Sequence, residues 1–182
     1  YIKKNEEALT FSKLSLDADL QRETLINIGY AYNSTGEYDK AISTYNKSIN
    51  ISLRNNRRDS HLATSYINTA FAFLYKGHLD STIYYVDQAQ NTAEIAKDTI
   101  VLIESHNQLG ILNKRKGNYQ KALSHFEKSL QLYELLKDYK KVAALWANIG
   151  SLYSDWKKYD KALTIFRKST RLAYQYSPND AD

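Results

Sequence analysis

The chain contains no cysteine among its 182 residues. This absence excludes disulfide bonds, zinc sites built on thiolates and catalysis by a cysteine nucleophile. A cysteine-free chain suits an oxidising compartment, where stray thiols are avoided, and it suits many cytosolic proteins as well. We expect an extracytoplasmic location, in the bacterial periplasm, with the cytoplasm as the alternative.

Methionine is also absent, and the chain begins at Tyr1 without a basic-then-apolar signal segment. Both features indicate a piece of a longer protein whose true ends lie outside these residues. The same reading leaves room for an attached output domain.

Proline and glycine are scarce, with one proline (Pro178) and six glycines. Few turn-forming residues in a chain of this length predict long and numerous helices. Hydrophobic residues make up 43% and charged residues 25%, which excludes a disordered tail. Apolar runs are only a few residues long, whereas a membrane-spanning helix needs about 20, so no membrane insertion is expected.

Charge of one sign is not concentrated anywhere in the chain. The net charge of +5 comes from 25 basic and 20 acidic residues spread along the whole length. The densest basic cluster, Arg54, Arg57 and Arg58, is interpreted as a solvated turn between helices. Nucleic-acid binders gather their bases on one stripe or arm, so we expect no nucleic acid partner.

Motifs for catalysis, metals or cofactors are missing as well. None of the four histidines has another histidine four residues later, and no glutamate lies between two of them in zinc-hydrolase spacing. No glycine-rich phosphate loop occurs. His106 is expected to be a packed or hydrogen-bonded residue between helices. We therefore expect no enzyme activity, no catalytic residue, no metal site and no cofactor.

What the sequence does contain is a repeat of about 40 residues. A small residue recurs at Gly29, Ala70, Gly110 and Gly150, and an asparagine or glutamine lies two residues before each of them. Sixteen residues after each small residue comes an aromatic or a valine, at Tyr45, Val86, Phe126 and Phe166. Four copies in one register predict four repeats of the same structure.

Each repeat predicts a pair of helices. In the fourth copy Trp146, Ile149, Gly150 and Tyr153 recur every three or four residues, as one helix face does. The small residue lets the first helix approach its partner closely, and the aromatic of the second helix fills the gap. Between the helices, Gly36, Gly77 and Gly117 suit residues that leave a helix at positive φ. Three aspartates are predicted at the start of the second helix: Asp39, Asp80 and Asp160.

The pattern resembles the tetratricopeptide repeat, whose signature places a tryptophan, Leu-Gly, tyrosine, alanine and phenylalanine over two helices. Two departures are a period of 40 rather than 34 and the lack of the closing proline in every copy. The resemblance implies an all-α fold, a right-handed α-α superhelix of antiparallel helix pairs.

The repeats predict a division of the chain into consecutive segments. Residues 1–16 are interpreted as the second helix of a truncated preceding repeat, and 177–182 as a polar tail. The four repeats between them are predicted at 17–57, 58–97, 98–137 and 138–176.

In tetratricopeptide arrays the first helix of each pair lines the concave groove. One amide per repeat lies on that helix, at Asn27, Asn68, Gln108 and Asn148. A carboxamide both donates and accepts, so a ladder of amides could hold the backbone of an extended peptide. The alternative is that these amides cap or brace neighbouring helices.

Apolar and charged side chains are predicted beside the ladder. We expect apolar anchors of a peptide or helix to contact the following residues: Ile26, Tyr30, Ile67, Phe71, Leu74 and Ile111. Lys114, with Arg115, Glu23 and Glu104, would supply charge selectivity. Ala144, Ala147, Ser151 and Ser154 would leave the C-terminal half of the groove open.

The resemblance implies a non-catalytic protein- or peptide-binding module. We interpret it as the sensory or scaffolding part of a bacterial regulator, such as a transcription factor or a histidine kinase. The alternative is a free-standing structural adaptor that holds subunits of a larger complex. The partner and the oligomeric state do not follow from the sequence.

Overall fold

The computed structural model describes residues 17–176, and this part of the chain consists of helices joined by short turns, without a strand. The predicted terminal segments, 1–16 and 177–182, lie outside the described residues. Eight helices follow one another: α1 (Ala18–Ser34), α2 (Tyr38–Arg54), α3 (Ser60–Lys76), α4 (Leu79–Ala96), α5 (Thr99–Arg115), α6 (Tyr119–Leu135), α7 (Tyr139–Asp155) and α8 (Tyr159–Tyr176). None of these helices is long and apolar enough to cross a membrane.

The first helix of each pair begins at an aspartate. Asp59 accepts a hydrogen bond from the N–H of Leu62 at the start of α3, and Asp138 accepts one from Lys141 at the start of α7. Asp17 and Asp98 do the same for α1 and α5. These caps satisfy N–H groups that have no partner inside the helix. The predicted aspartates Asp39, Asp80 and Asp160 lie in the first turns of α2, α4 and α8.

The turn inside each helix pair has a residue in the left-handed region. Gly36, Gly77 and Gly117 have φ values of 77°, 82° and 74°, which confirms their predicted positive φ. In the fourth pair a non-glycine residue, Lys157, takes this conformation at φ 59°.

The predicted contact between small and aromatic residues is present. A Cβ added to Gly110 would lie 2.5 Å from the ring of Phe126, and one added to Gly29 would lie 2.4 Å from Tyr45. These distances are shorter than any side-chain carbon tolerates, so only glycine allows the two helices to lie this close.

The chain forms two compact units that divide between Ser105 and His106, inside α5. The first unit includes α1 to α4, and within it α3 packs against α1, α2 and α4. The second unit includes α6, α7 and α8 with the C-terminal part of α5.

Candidate peptide-binding surface

Two of the predicted amides lie on neighbouring helices of the first unit. Asn27 on α1 and Asn68 on α3 are both half-buried. The two helices are joined by a hydrogen bond that Asn33 Nδ2 donates to the backbone carbonyl of Asn68, at 3.3 Å. Within the described residues the side-chain amides of Asn27 and Asn68 make no hydrogen bond, so their donors and acceptors are open to a ligand.

Aromatic side chains lie beside these amides. Tyr30, one helical turn after Asn27, is 63% exposed. Phe71, one turn after Asn68, is half-buried and packs on Tyr75 with ring centroids 4.4 Å apart. Residues three apart share a helix face, so each amide lies next to an aromatic ring. We call Asn27, Tyr30, Asn68, Phe71 and Tyr75 the first-unit surface.

Two apolar side chains predicted for the groove belong to the core instead. Ile67 and Leu74 on α3 are each 0% exposed. The expectation that they contact a ligand is wrong, because α3 is packed by three other helices of its unit. Ile26, the equivalent of Ile67 on α1, stays half-buried.

In the second unit the amides are engaged or enclosed. Asn148 Nδ2 on α7 donates to Asn107 Oδ1 on α5 at 3.1 Å. Gln108 is 6% exposed. The alternative reading, in which an amide braces neighbouring helices, describes Asn148 better than a ladder does.

Lys114 is also engaged within the second unit. Its ammonium donates to Ser151 Oγ at 2.8 Å and pairs with Asp155 at 3.1 Å, which links α5 to α7. The charge of Lys114 is therefore paired within the second unit. Ser151 is its hydrogen-bond partner rather than part of an open groove. Ile111, one turn earlier on α5, is half-buried.

An ion pair that the sequence pattern did not predict lies at the junction of the first two helix pairs. Arg22 on α1 is 1% exposed, and both of its terminal nitrogens donate to the carboxylate of Asp59, each at 2.9 Å. The same guanidinium bonds Ser52 Oγ at 3.0 Å and pairs with Asp19. Arg57, predicted as part of a solvated turn, pairs with Asp19 from outside at 2.9 Å.

A signal for this pair was present in the repeat. Arg22 lies seven residues before the small residue of its copy, where the other copies have Ala63, Ile103 and Ala143. Those three side chains are all buried. A charged residue at a position that is otherwise apolar and enclosed indicates a buried ion pair, since a buried charge needs a partner.

The ion pair changes the titration of its members. Burial raises the pKa of Asp59, but the hydrogen bonds from Arg22 and from the Leu62 N–H outweigh burial, and the net pKa lies below its usual value. Hydrogen bonding to Arg22 likewise lowers the pKa of Asp19. Both carboxylates are therefore charged in the folded chain at neutral pH.

Comparison with known families identifies the repeat. A sequence model described as "Tetratricopeptide repeat" matches residues 101–175, and a second with the same description matches residues 23–55. Together they cover more than half of the chain. The anaphase-promoting complex subunit cut9 of Schizosaccharomyces pombe is 28% identical over 158 residues, which are 85% of this chain. The chain spans only 21% of the length of that relative.

Solved structures share the fold. A Rap protein complexed with Competence and Sporulation Factor superposes with a TM-score of 0.86 at 14% identity, covering 96% of this chain and 48% of the other. BtubC of P. vanneervenii superposes with a TM-score of 0.74 at 22% identity, covering 91% of this chain and 69% of the other. These likenesses confirm the predicted fold class, an all-α superhelix of antiparallel helix pairs.

Proposed function

Because the chain belongs to the tetratricopeptide repeat family, whose fold is generally a non-catalytic protein-binding module, we propose that its first unit binds a peptide segment of a partner protein. The observation that carries the proposal is the first-unit surface. Two amides with open hydrogen-bonding groups lie on neighbouring helices, each with an aromatic ring one turn away.

The chemistry of this surface suits an extended peptide. Asn27 and Asn68 can each donate to a peptide C=O and accept from a peptide N–H, which fixes the backbone without reading its sequence. Tyr30 and the Phe71–Tyr75 pair offer apolar area with little loss of side-chain freedom, which suits one or two apolar anchors of the peptide. The ligand is therefore expected to be a segment with apolar residues in an otherwise variable sequence.

The role of such binding in the whole protein is part of the proposal. We favour the sensory or scaffolding part of a bacterial regulator, and a Rap protein of the same fold is described in complex with Competence and Sporulation Factor. The alternative is an adaptor that holds subunits of a complex. It is supported by the similarity to cut9, which is named as a subunit of the anaphase-promoting complex.

A peptide library displayed on phage tests the binding function. Peptides selected on the full chain would be synthesised with a fluorescent label, and their dissociation constants measured by anisotropy. The double variant Asn27→Ala/Asn68→Ala removes two hydrogen-bonding groups worth about 1 kcal/mol each, so we expect binding to weaken by about tenfold or more. Tyr30→Ala should weaken it as well.

The matched control removes two amides from the second helices of the same unit. Asn50→Ala/Asn91→Ala changes exposed amides on α2 and α4 and should leave the dissociation constant within about twofold. Circular dichroism melting would confirm that both variants fold. Equal affinity for the chain and its Asn27→Ala/Asn68→Ala variant would rule out the first-unit surface as the binding site.

A further inference from the structure

The second helix of the fourth repeat has an open face. Phe166 on α8 is 39% exposed, whereas its equivalents Tyr45 on α2 and Phe126 on α6 are both 0% exposed. In those two repeats the first helix of the next repeat packs on the second helix, α3 on α2 and α7 on α6. Among residues 17–176, α8 packs against α7 alone. The face that α2 and α6 bury inside the array is therefore accessible on α8.

This face is an apolar stripe along a groove. Leu163, Phe166, Thr170 and Tyr174 follow one another at spacings of three or four residues, so they share one side of the helix. Leu163 is 52% exposed and Tyr174 is 82% exposed. An open groove of about 510 Å³ runs beside the stripe and is lined by Phe166, Arg167, Thr170, Arg171 and Tyr174. Apolar side chains exposed at this spacing suit the apolar face of another helix.

Two arginines border the stripe on one side. Arg167 and Arg171 are four residues apart, and both are exposed and line the groove. Neither of them forms an ion pair with an acid in the part of the chain that the structure describes. The equivalent residues of α2, α4 and α6 are neutral or acidic: Asn46, Asp87 and Glu127 for the first arginine, and Asn50, Asn91 and Gln131 for the second. The basic edge therefore belongs to the second helix whose face is open.

We propose that this face of α8 binds an acidic amphipathic helix of a partner protein. The apolar side of that helix covers Phe166 and Tyr174, in the way that α7 packs on α6. Carboxylates along one edge of the same helix pair with Arg167 and Arg171, because a guanidinium binds a carboxylate through two parallel hydrogen bonds. The first-unit surface belongs to the other unit of the chain, so this site is independent of the proposed function.

Other occupants fit the face less well. A second copy that packed α8 on α8 would bring the arginines of both copies together, and like charges across an interface oppose association. The phosphates of a nucleic acid or of a membrane surface would pair with Arg167 and Arg171 but would leave Phe166 and Tyr174 uncovered. An acidic amphipathic helix uses both the apolar stripe and the basic edge.

A library of helical peptides displayed on phage tests the proposal. The peptides keep leucine or alanine at positions i, i+3, i+4 and i+7 and vary the other positions over acidic, basic and neutral residues. Peptides selected on the full chain at about 150 mM salt, where distant charges are screened, should be enriched in aspartate and glutamate. Anisotropy with labelled peptides measures their dissociation constants. Binding that is the same for the parent and for Asn27→Ala/Asn68→Ala separates these peptides from ligands of the first-unit surface.

A double variant removes the basic edge with side chains that the same helix position already accepts. Arg167→Glu/Arg171→Gln copies Glu127 and Gln131 of α6 and should weaken binding of the acidic peptides by at least about tenfold. Peptides with lysine in place of glutamate should bind this variant better than they bind the parent. Tyr174→Ala should weaken binding by about threefold or more, because it removes only apolar contact area.

A control variant makes the same change of charge elsewhere in the second unit. Lys140→Glu/Lys141→Gln alters two exposed lysines at the start of α7 and should leave the dissociation constant within about twofold. Circular dichroism melting checks that each variant folds. Should Arg167→Glu/Arg171→Gln fail to fold, the comparison of acidic and lysine-substituted peptides on the parent chain decides, and equal affinity there would contradict the basic edge.

Equal affinity of the acidic peptides for the parent and for Arg167→Glu/Arg171→Gln would overturn the proposal, and so would a selection without enrichment of acidic residues. A dimer in light scattering that Tyr174→Ala dissociates would make a second copy the occupant instead. A labelled duplex that binds the parent at low-micromolar concentration, but not Arg167→Glu/Arg171→Gln, would assign the arginines to phosphates and would also overturn it.

Discussion

At the scale of single residues, the repeat depends on matched sizes across each helix pair. Gly110 faces Phe126, and Gly150 faces Phe166 with 2.8 Å between an added Cβ and the ring. The second repeat has Ala70 and Val86 at these positions, both buried. Ala70 is larger than the glycine of the other repeats, and Val86 is smaller than their aromatic residue. The two side chains together therefore fill a similar volume in each repeat.

This matching of sizes predicts that the effect of Gly110→Ala on the free energy of unfolding changes sign when Phe126 is replaced by a smaller residue. Gly110→Ala should lower the free energy of unfolding by about 1–2 kcal/mol, because the new Cβ overlaps the fully buried ring of Phe126. In the Phe126→Val background the overlap is gone. Gly110→Ala should then raise the free energy of unfolding by up to about 1 kcal/mol through helix propensity.

Urea unfolding of the four proteins measures both effects. The same effect of Gly110→Ala in the two backgrounds would show that the ring is not what excludes a methyl group there.

At the scale of helices and turns, one turn has a lysine where the left-handed backbone conformation favours glycine. Lys157 has φ 59° between α7 and α8, whereas the equivalent turns have Gly36, Gly77 and Gly117. A Cβ costs about 1–2 kcal/mol in the left-handed region, while glycine loses more backbone entropy on folding. Lys157 is exposed, so it has no packing to lose.

We expect Lys157→Gly to raise the free energy of unfolding by about 0.5–1 kcal/mol. The reverse change, Gly117→Lys, should lower it by a similar amount, because an added Cβ at Gly117 meets no neighbouring atom and only the backbone conformation changes. Thermal melting of both variants and the parent measures these opposite changes in stability. A lower melting temperature for Lys157→Gly would contradict the backbone explanation.

The Arg22 ion pair makes the junction of α1, α2 and α3 sensitive to acid. The folded pKa of Asp59 is lowered, so its contribution to stability is present above the unfolded pKa, near 3.8. That contribution is lost as the pH falls through the still lower folded pKa. Asp59→Asn should therefore lower the free energy of unfolding by at least about 1 kcal/mol at pH 7, discounted for the partial exposure of Asp59.

Once the pH falls below the lowered folded pKa, the parent aspartate is itself protonated, and the two proteins should converge. Urea unfolding across this pH range measures the convergence. Asp80→Asn, an exposed aspartate in the first turn of α4, serves as the control and should change stability by under about 0.5 kcal/mol at any pH. A difference between the parent and Asp59→Asn that stays constant at every acidic pH where both proteins fold would exclude the ion pair as the cause.

For the molecule as a whole, the sequence periodicity predicted which residues form helices better than it predicted which side chains meet between helices. The small residues, the aromatics and the turn glycines recur at fixed spacing, so fold class and helix pairing follow from one chain. Ile67 was misplaced because burial on α3 depends on three surrounding helices. Arg22 and the hydrogen-bonded pair of His106 and His125, whose Nδ1 atoms lie 3.3 Å apart, depend on side chains that meet across helices, which spacing along one helix does not reveal.

Several basic side chains of residues 17–176 are held by local partners. Arg57 pairs with Asp19, Lys76 with Asp39, and Lys114 with Asp155. Lys158 lies 3.2 Å from the centre of the Trp156 ring, and Lys168 lies 3.6 Å from that of Trp146. Cations held in this way lose these contacts if they turn toward a phosphate backbone.

We therefore expect only weak binding to nucleic acid despite the net charge of +5. Anisotropy of a labelled duplex of about 20 base pairs should give a dissociation constant weaker than about 100 μM at about 150 mM salt, the weak end of non-specific binding. A labelled peptide selected on the same chain supplies the positive control. A low-micromolar constant with a steep loss of affinity at higher salt would instead show several lysines and arginines contacting phosphates together, and would make nucleic acid a partner of this chain.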